Sequence, residues 1–124
     1  MKILHVINTT NPQSGGPVEA LKQLFKHENK NKIIAEILSS DNKIYPKNLK
    51  NDLPKINTVG KQSFFFNYNS KLKIWLKKNI NKYDLIIVHG IWLYHNFAVM
   101  NVAKKFNKPY FVFMHGAMNP WLNK

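Results

Sequence analysis

Two apolar runs that each break at a His-Gly pair constrain the fold of this chain more than any other feature. The first run, residues 84–88, is followed by His89-Gly90, and the second, residues 110–114, is followed by His115-Gly116. Two such runs joined by a helical segment are typical of a βαβ unit with parallel strands. Because ligands of open parallel sheets bind outside the carboxyl ends of the strands, both His-Gly pairs are candidate site residues.

The rest of the chain alternates between strand and helix patterns. Strands are predicted at residues 2–8, 33–38 and 56–59, and helices at about 17–26, 70–80 and 92–106. This alternation predicts an α/β fold with a Rossmann-like parallel sheet, strand order 3-2-1-4-5 and right-handed crossovers. In that order strand one lies beside strand four, and the winding reverses between them. The features that follow strands one, four and five would then line one edge of the sheet.

The feature that follows strand one is the pair Gly15-Gly16, directly before Pro17. Two residues without Cβ let a ligand approach the backbone closely, and the N–H groups of the following helix start favour anions. The spacing matches neither the GxGxxG fingerprint nor a P-loop. On the motif alone, an anion site and a tight turn remain equal alternatives.

The remaining histidines are interpreted structurally. His5 lies inside strand one, where a lone histidine is usually a hydrogen-bonded core residue, and His27 and His95 have polar neighbours and are expected to be exposed. The chain has no cysteine, and no carboxylate lies near His89 or His115 in the sequence. We therefore expect no metal site.

The charge of the chain is strongly positive but consists of lysine alone. The 124 residues carry a formal net charge of +13, with nineteen Lys and no Arg. Because base readout and phosphate clamps favour Arg, nucleic-acid binding is not expected. Lys and Asn enrichment in an AT-rich coding sequence is the simplest account, and attraction to anionic lipid is the alternative. The aromatic run 64–66 is interpreted either as core or as a lipid- or acceptor-facing edge.

No apolar run approaches the ~20 residues that a membrane-spanning helix needs, and no signal-peptide pattern follows Met1. The expected location is cytoplasmic, with peripheral contact at the inner membrane face as a further expectation.

The chain resembles the N-terminal part of a GT-B glycosyltransferase of the large retaining family 4. The matching pieces are residues 2–6, Gly15-Gly16, residues 83–92 and residues 108–121, in the family's order. The His115-Gly116 pair followed by Pro120-Trp121 is the most specific of them. It is characteristic of a subgroup that builds surface polysaccharides and lipopolysaccharide.

The resemblance implies transfer of a sugar from a nucleotide-sugar donor to a glycan or lipid-linked acceptor, with neither metal nor cofactor. Gly15 and Gly16 would lie against the donor diphosphate or the transferred sugar, and His89 would shape the acceptor side. His115 would be the catalytic residue beside the reacting carbon. The resemblance also assigns Gly116 and Asn119 to substrate binding, although many relatives have an acidic residue or Ser at the position of Asn119.

GT-B enzymes have a second Rossmann-like domain, which holds the donor nucleotide and carries two glutamates separated by seven residues. The acidic residues are scattered, so such a pair is expected to be absent here, and residues 1–124 are interpreted as a partial N-terminal domain, inactive alone, whose C-terminal half is absent or a separate partner. An incomplete sheet is expected to be marginally stable. The alternatives are a non-catalytic acceptor-binding module or gene remnant of the same fold, and a flavodoxin-like phosphate- or flavin-binding domain.

Overall fold

A computed structural model of the chain describes residues 1–11, 16–41, 53–60, 70–90 and 94–113. These residues form five strands, three α-helices and one 3₁₀ turn. In chain order they are β1 (Lys2–Ile7), α1 (Gly16–Lys30), β2 (Ile34–Ser39), β3 (Lys55–Thr58), α2 (Ser70–Asn79), the 3₁₀ turn (Ile80–Lys82), β4 (Leu85–His89), α3 (Tyr94–Lys105) and β5 (Tyr110–Phe113).

The five strands form one sheet in the order β3-β2-β1-β4-β5, and every neighbouring pair is parallel. The predicted α/β class, Rossmann-like sheet and strand order are therefore confirmed. Strand β1 lies in the centre, beside β2 and β4, so the winding reverses between β1 and β4. Ligand sites of such sheets lie at this reversal, outside the carboxyl ends of the strands.

The alternation of side chains along the central strands divides the core into two faces. In β1, Leu4 and Val6 pack in one buried cluster, whereas Ile7 packs in a second. The first cluster includes residues of α2 and α3: Leu72, Leu76, Ala98, Val99, Val102 and Ala103. The second includes Val18 and Leu21 of α1. Because neighbouring side chains of a strand point to opposite faces, the odd-numbered residues of β1 face α1.

The same alternation decides where the histidines of the sheet lie. His5 in β1 is paired with Ile87 in β4, and His89 stands two residues further along β4. Residues two apart on a strand share a face, so His5 and His89 lie on the α1 face.

A polar network ties β1, β2 and β3 to the residues before β4. Glu36 accepts hydrogen bonds from Asn57 Nδ2 at 3.0 Å and from the Tyr83 hydroxyl at 2.9 Å, and its other oxygen lies 3.1 Å from Lys2 Nζ. Burial by itself raises the pKa of Glu36, but these partners outweigh burial and lower it. Burial and the Glu36 carboxylate together raise the pKa of Tyr83. The network thus favours an ionised Glu36 and a neutral Tyr83.

The segment after β2 differs from its prediction. Residues 39–51 are rich in Lys and Asn, a composition that predicts a mobile surface loop, yet Ser39 ends β2 and both Ser40 and Asp41 are buried. Ser40 donates its backbone N–H to the carbonyl of Asn8, which continues the strand pairing for one residue. The rest of that segment, residues 42–52, lies outside the described residues.

Strand β5 lies at one end of the described sheet and pairs with β4. Phe111, Val112 and Phe113 are all exposed, at 64%, 45% and 45%. An edge strand with exposed apolar side chains is prone to association with other chains. In the part of the chain described here, no helix is long and apolar enough to cross a membrane.

Candidate functional site

The His-Gly pair at the end of β4 marks a sharp change of backbone direction. His89 is the last residue of the strand, and Gly90 has a φ of 105°, in a region that is open to glycine and costly for other residues. The Gly90 N–H donates to the carbonyl of Phe113 at 2.9 Å, so the turn remains joined to β5. The glycine thus has a conformational role, and the histidine occupies the carboxyl edge of the sheet.

His5, His89 and Glu28 form a chain of hydrogen bonds beneath α1. His5 Nδ1 lies 2.8 Å from His89 Nε2, and His5 Nε2 lies 2.7 Å from Glu28 Oε2. The two imidazole rings are tilted by 42° with centroids 5.0 Å apart, and His89 also stacks on Phe113. Three titratable side chains from β1, β4 and α1 therefore meet within direct hydrogen-bonding distance.

This cluster is closed off from solvent. His5 is fully buried, His89 is 2% exposed and Glu28 is 5% exposed. Glu28 Oε1 is also buried and has no hydrogen-bond partner among the described residues. Since an unpaired buried carboxylate oxygen is costly, the contact of the other oxygen with His5 offsets part of the cost of burying Glu28.

His95 at the start of α3 contacts the same strand end. Its Nε2–H donates to the backbone carbonyl of His89 at 2.7 Å, and the nearby Asn96 amide donates to the carbonyl of Gly90 at 2.9 Å. Burial lowers the pKa of His95, and the bond to the His89 carbonyl opposes that effect. The prediction that His95 is exposed is wrong, because its helix packs this residue against the end of β4. His27 is exposed, as predicted.

A second polar cluster joins the carboxyl ends of β1 and β2. The carboxylate of Asp41 accepts hydrogen bonds from the Thr9 hydroxyl at 2.5 Å, the Thr10 N–H at 2.8 Å, the Thr10 hydroxyl at 2.6 Å and the Ser39 hydroxyl at 2.9 Å. Asp41 is buried. These bonds fix the path of the chain as it leaves β1 toward the start of α1.

The described residues include only part of the predicted site. Gly16 is the first residue of α1, and His89 lies at the carboxyl edge as predicted, although it is buried rather than open to a cleft. Gly15, His115, Gly116 and Asn119 lie outside the described residues, and so does the aromatic run 64–66. The proposed roles of those residues stay predictions.

His5 is a buried residue with both ring nitrogens hydrogen-bonded, which confirms the structural interpretation of a core histidine. Its partner Glu28 and the acceptor Asp41 were missed. The sequence does contain a signal that Glu28 is buried. Val18, Leu21 and Phe25 define the inward face of α1 at helical spacing, and Glu28 lies on the same face. A carboxylate on the apolar stripe of a helix calls for a buried partner.

The expectation that the chain has no pair with the spacing of the family's glutamate signature is wrong. Seven residues separate Glu28 from Glu36. Glu28 belongs to α1 and contacts His5, whereas Glu36 belongs to β2 and contacts Lys2. Each carboxylate has a separate structural partner, so the two glutamates do not together form a binding site for a nucleotide-sugar donor. Across the described ranges, no group of three His, Asp or Glu side chains is arranged to hold a metal ion.

Comparison with known proteins adds information on the fold. No protein-family model and no curated protein matches the chain. Among solved structures, the C-terminal domain of a hydrogenase from Pyrococcus furiosus is similar, with a TM-score of 0.61, 18% sequence identity and 91% of each chain covered. At this identity the similarity supports the α/β fold and carries no functional information.

Proposed function

We propose that this chain is the N-terminal, acceptor-side part of a family 4 GT-B glycosyltransferase. In this proposal the complete enzyme transfers a sugar from a nucleotide-sugar donor to a glycan or lipid-linked acceptor in surface polysaccharide or lipopolysaccharide synthesis. The chain contributes to this transfer in the cytoplasm, together with a C-terminal half that binds the donor nucleotide. Its basic surface makes peripheral contact with an anionic membrane face.

The observation that carries the proposal is the position of His89. His89 ends β4, which lies beside β1 at the reversal of winding. After β1 the chain continues through Thr9 and Thr10, which are hydrogen-bonded to Asp41, and Gly16 begins α1. Sites of open α/β sheets lie at this reversal. Two motifs of the resemblance, Gly15-Gly16 and His89-Gly90, therefore follow strands that end at the sheet edge where a ligand is expected.

A non-catalytic acceptor-binding module or a gene remnant of the same fold is the second candidate. The observation that favours it is the burial of His89, which is 2% exposed and already engaged with His5. The flavodoxin-like alternative is disfavoured by topology. Flavodoxin-like sheets have strand order 2-1-3-4-5, whereas this sheet has the order 3-2-1-4-5.

The proposal is tested with the chain joined to, or co-expressed with, a second Rossmann-like half encoded with it. The complex is incubated with a panel of radiolabelled nucleotide sugars and a lipid-linked acceptor extract, and labelled product is measured. His115→Ala is expected to abolish most turnover while changing the unfolding midpoint little. His27→Ala, at an exposed position, is the matched control.

Transfer that is lost in His115→Ala and retained in His27→Ala supports the proposed function. Unchanged turnover in His115→Ala contradicts the catalytic role of that residue. Binding of the acceptor without transfer from any donor favours the non-catalytic module.

A further inference from the structure

The charged side chains of the helices are distributed unevenly between the two faces of the sheet. Helix α1 carries three Lys and two Glu, whereas α2 and α3 together carry six Lys and neither Asp nor Glu. Helices α2 and α3 pack in the core cluster on one face, and α1 packs in the cluster on the other. The layer formed by α2 and α3 is therefore the more basic of the two helical sides. Its lysines are Lys71, Lys73, Lys77, Lys78, Lys104 and Lys105.

Four of these lysines lie at one end of the layer. Lys77 and Lys78 are in the last turn of α2, Lys104 and Lys105 are in the last turn of α3, and all four are exposed. The two helices contact each other, and each leads into the amino end of a strand of the same parallel sheet. Four positive charges thus stand at the same end of neighbouring helices. Since neither helix carries a carboxylate, an anionic surface beside them would lower their mutual repulsion.

Exposed apolar side chains lie on the same outward surface as these lysines. Ile74 in α2 is 54% exposed, and Phe97 in α3 is 41% exposed. Ile74 stands three residues before Lys77, and Phe97 stands seven residues before Lys104, spacings that place each pair on one side of its helix. The helix dipole accounts for lysines at a helix C-terminus. It does not account for exposed apolar residues beside them.

A surface that combines lysine with exposed apolar side chains matches the interface of an anionic lipid membrane. Lysine ammonium groups are attracted to anionic headgroups, while apolar side chains enter the boundary between headgroups and acyl chains. Nucleic acid matches the surface less well. The chain has no Arg for phosphate clamps or base edges, and a phosphate backbone gives Ile74 no apolar contact.

We propose that the layer formed by α2 and α3 is the face on which this chain lies against an anionic membrane, with Ile74 at the headgroup boundary and the four lysines of the helix ends at lipid phosphates. The inference rests on the peripheral membrane contact of the proposed function and assigns that contact to one surface. Helices pack along the strands of such a sheet, so a chain lying on this layer holds its strands along the membrane plane. The carboxyl edge of the sheet then faces sideways, within reach of a lipid-linked acceptor in the same membrane.

The test is flotation of the chain with vesicles of phosphatidylcholine and phosphatidylglycerol in equal parts, compared with vesicles of phosphatidylcholine alone. Flotation separates vesicle-bound protein from aggregates, which do not float. Binding is expected with the anionic vesicles and should weaken as salt screens the charges. Each lysine near the surface should change the partition coefficient about fivefold, so Lys77→Gln combined with Lys78→Gln should weaken binding about twenty-five-fold.

Lys26→Gln combined with Lys30→Gln is the matched control. It removes the same charge from exposed positions of α1, on the opposite face of the sheet. Because charges farther from the lipid than a Debye length are largely screened, this pair should weaken binding less than about threefold. An equal loss in the two double variants would show that the lysines act through net charge alone, and would overturn the assignment.

A second measurement follows the apolar contact directly. The chain contains no cysteine, so Ile74→Cys can be labelled at a single site with a fluorophore whose emission shifts to the blue in apolar surroundings. Anionic vesicles should produce this shift in labelled Ile74→Cys. Labelled Ile34→Cys is the control, because Ile34 is 61% exposed at the start of β2, outside the layer. No shift at position 74, or an equal shift at both positions, would overturn the proposal.

The assignment and the proposed function fail separately. Binding to anionic vesicles that is unchanged by Lys77→Gln with Lys78→Gln contradicts the assignment and leaves peripheral membrane contact through another surface. Absence of binding to anionic vesicles contradicts both the assignment and the membrane contact, and leaves sugar transfer to the assay of the complete enzyme. Tighter binding to duplex DNA than to the vesicles at equal phosphate concentration would make this a nucleic-acid-binding face and would also overturn the proposal.

Discussion

His95 donates a hydrogen bond from Nε2 to the backbone carbonyl of His89 across 2.7 Å, while Nδ1 of the same buried ring has no partner in the described part of the chain. A second proton on this ring would lie on Nδ1 and would have no acceptor there. Protonation of His95 is therefore unfavourable in the folded state, consistent with the lowering of its pKa by burial.

His95 consequently makes the stability of the fold dependent on pH. An unfolded histidine binds a proton as the pH falls through about 6.5, whereas folded His95 remains neutral there. The unfolded state then binds more protons, so His95 contributes stability above that pH that is lost as the pH falls further toward its folded pKa. The expected slope is at most about 1.4 kcal/mol per pH unit.

His95→Gln tests this, because the Gln amide retains a donor for the His89 carbonyl and does not titrate. Urea unfolding between pH 8 and pH 5 should show a smaller loss of stability on acidification than in the wild type. His27→Gln, at an exposed position of α1, should leave the pH dependence as it is. Identical pH profiles for His95→Gln and the wild type would exclude His95 as a source of the dependence.

The Asp41 cluster should contribute more to stability than any surface ion pair. Its carboxylate accepts four hydrogen bonds from Thr9, Thr10 and Ser39. Asp41→Asn turns part of the acceptor into a donor that faces these N–H and O–H groups, at an expected cost of roughly 2–4 kcal/mol. The measurement is the urea midpoint at constant m-value.

Asp84→Asn is the control for that substitution. Asp84 is exposed and accepts from the backbone N–H of Lys2 at 2.7 Å, a bond that an amide oxygen can also accept. A loss of less than about 1 kcal/mol is expected there. Equal losses in the two variants would show that the buried cluster has no special role.

The sequence predicted the fold well, because hydrophobic patterns determine it. The strand and helix positions agree with the structure to within a few residues, and the observed strand order is the one predicted for a Rossmann-like sheet. The position of His89 at a strand end was predicted for the same reason.

The partners of the buried polar groups could not be found in the same way. Glu28 and His5 are separated by 23 residues and His5 and His89 by 84, so their contacts depend on register and on the packing of α1 over the sheet. Asp41 lies in a stretch whose composition predicts a polar loop, and composition does not reveal whether a carboxylate is enclosed by hydroxyl groups. His95 was judged by its polar neighbours, although Ala98, Val99 and Val102 of its helix already indicated a buried face.

Helix α2 offers a matched pair of substitutions that tests its packing against the sheet. Leu76 is fully buried in the larger core cluster, and Ile74 on the same helix is 54% exposed. Leu76→Ala should destabilise the chain by about 2–5 kcal/mol through lost burial and a residual cavity. Ile74→Ala should change stability by less than about 0.5 kcal/mol. A large effect of Ile74→Ala would mean that a partner covers α2 in solution.

Strand β5 should determine how the isolated chain associates. Its apolar side chains are exposed, and an edge strand has unpaired N–H and C=O groups that can pair with another chain. Phe111→Lys places a charge on this edge and should reduce self-association as the concentration rises. Sedimentation equilibrium measures the change, with Ile74→Lys as a control of equal charge at an exposed apolar site on α2.

The two variants separate edge pairing from general solubility. Both add one positive charge to a chain that already carries +13, so a solubility effect of charge would lower association equally in both. A decrease confined to Phe111→Lys shows that association proceeds through the β5 edge, where like charges on facing strands repel. If the wild type instead remains a monomer and melts cooperatively at high temperature, β5 is not a reactive edge. The expected marginal stability of the isolated chain would then be wrong.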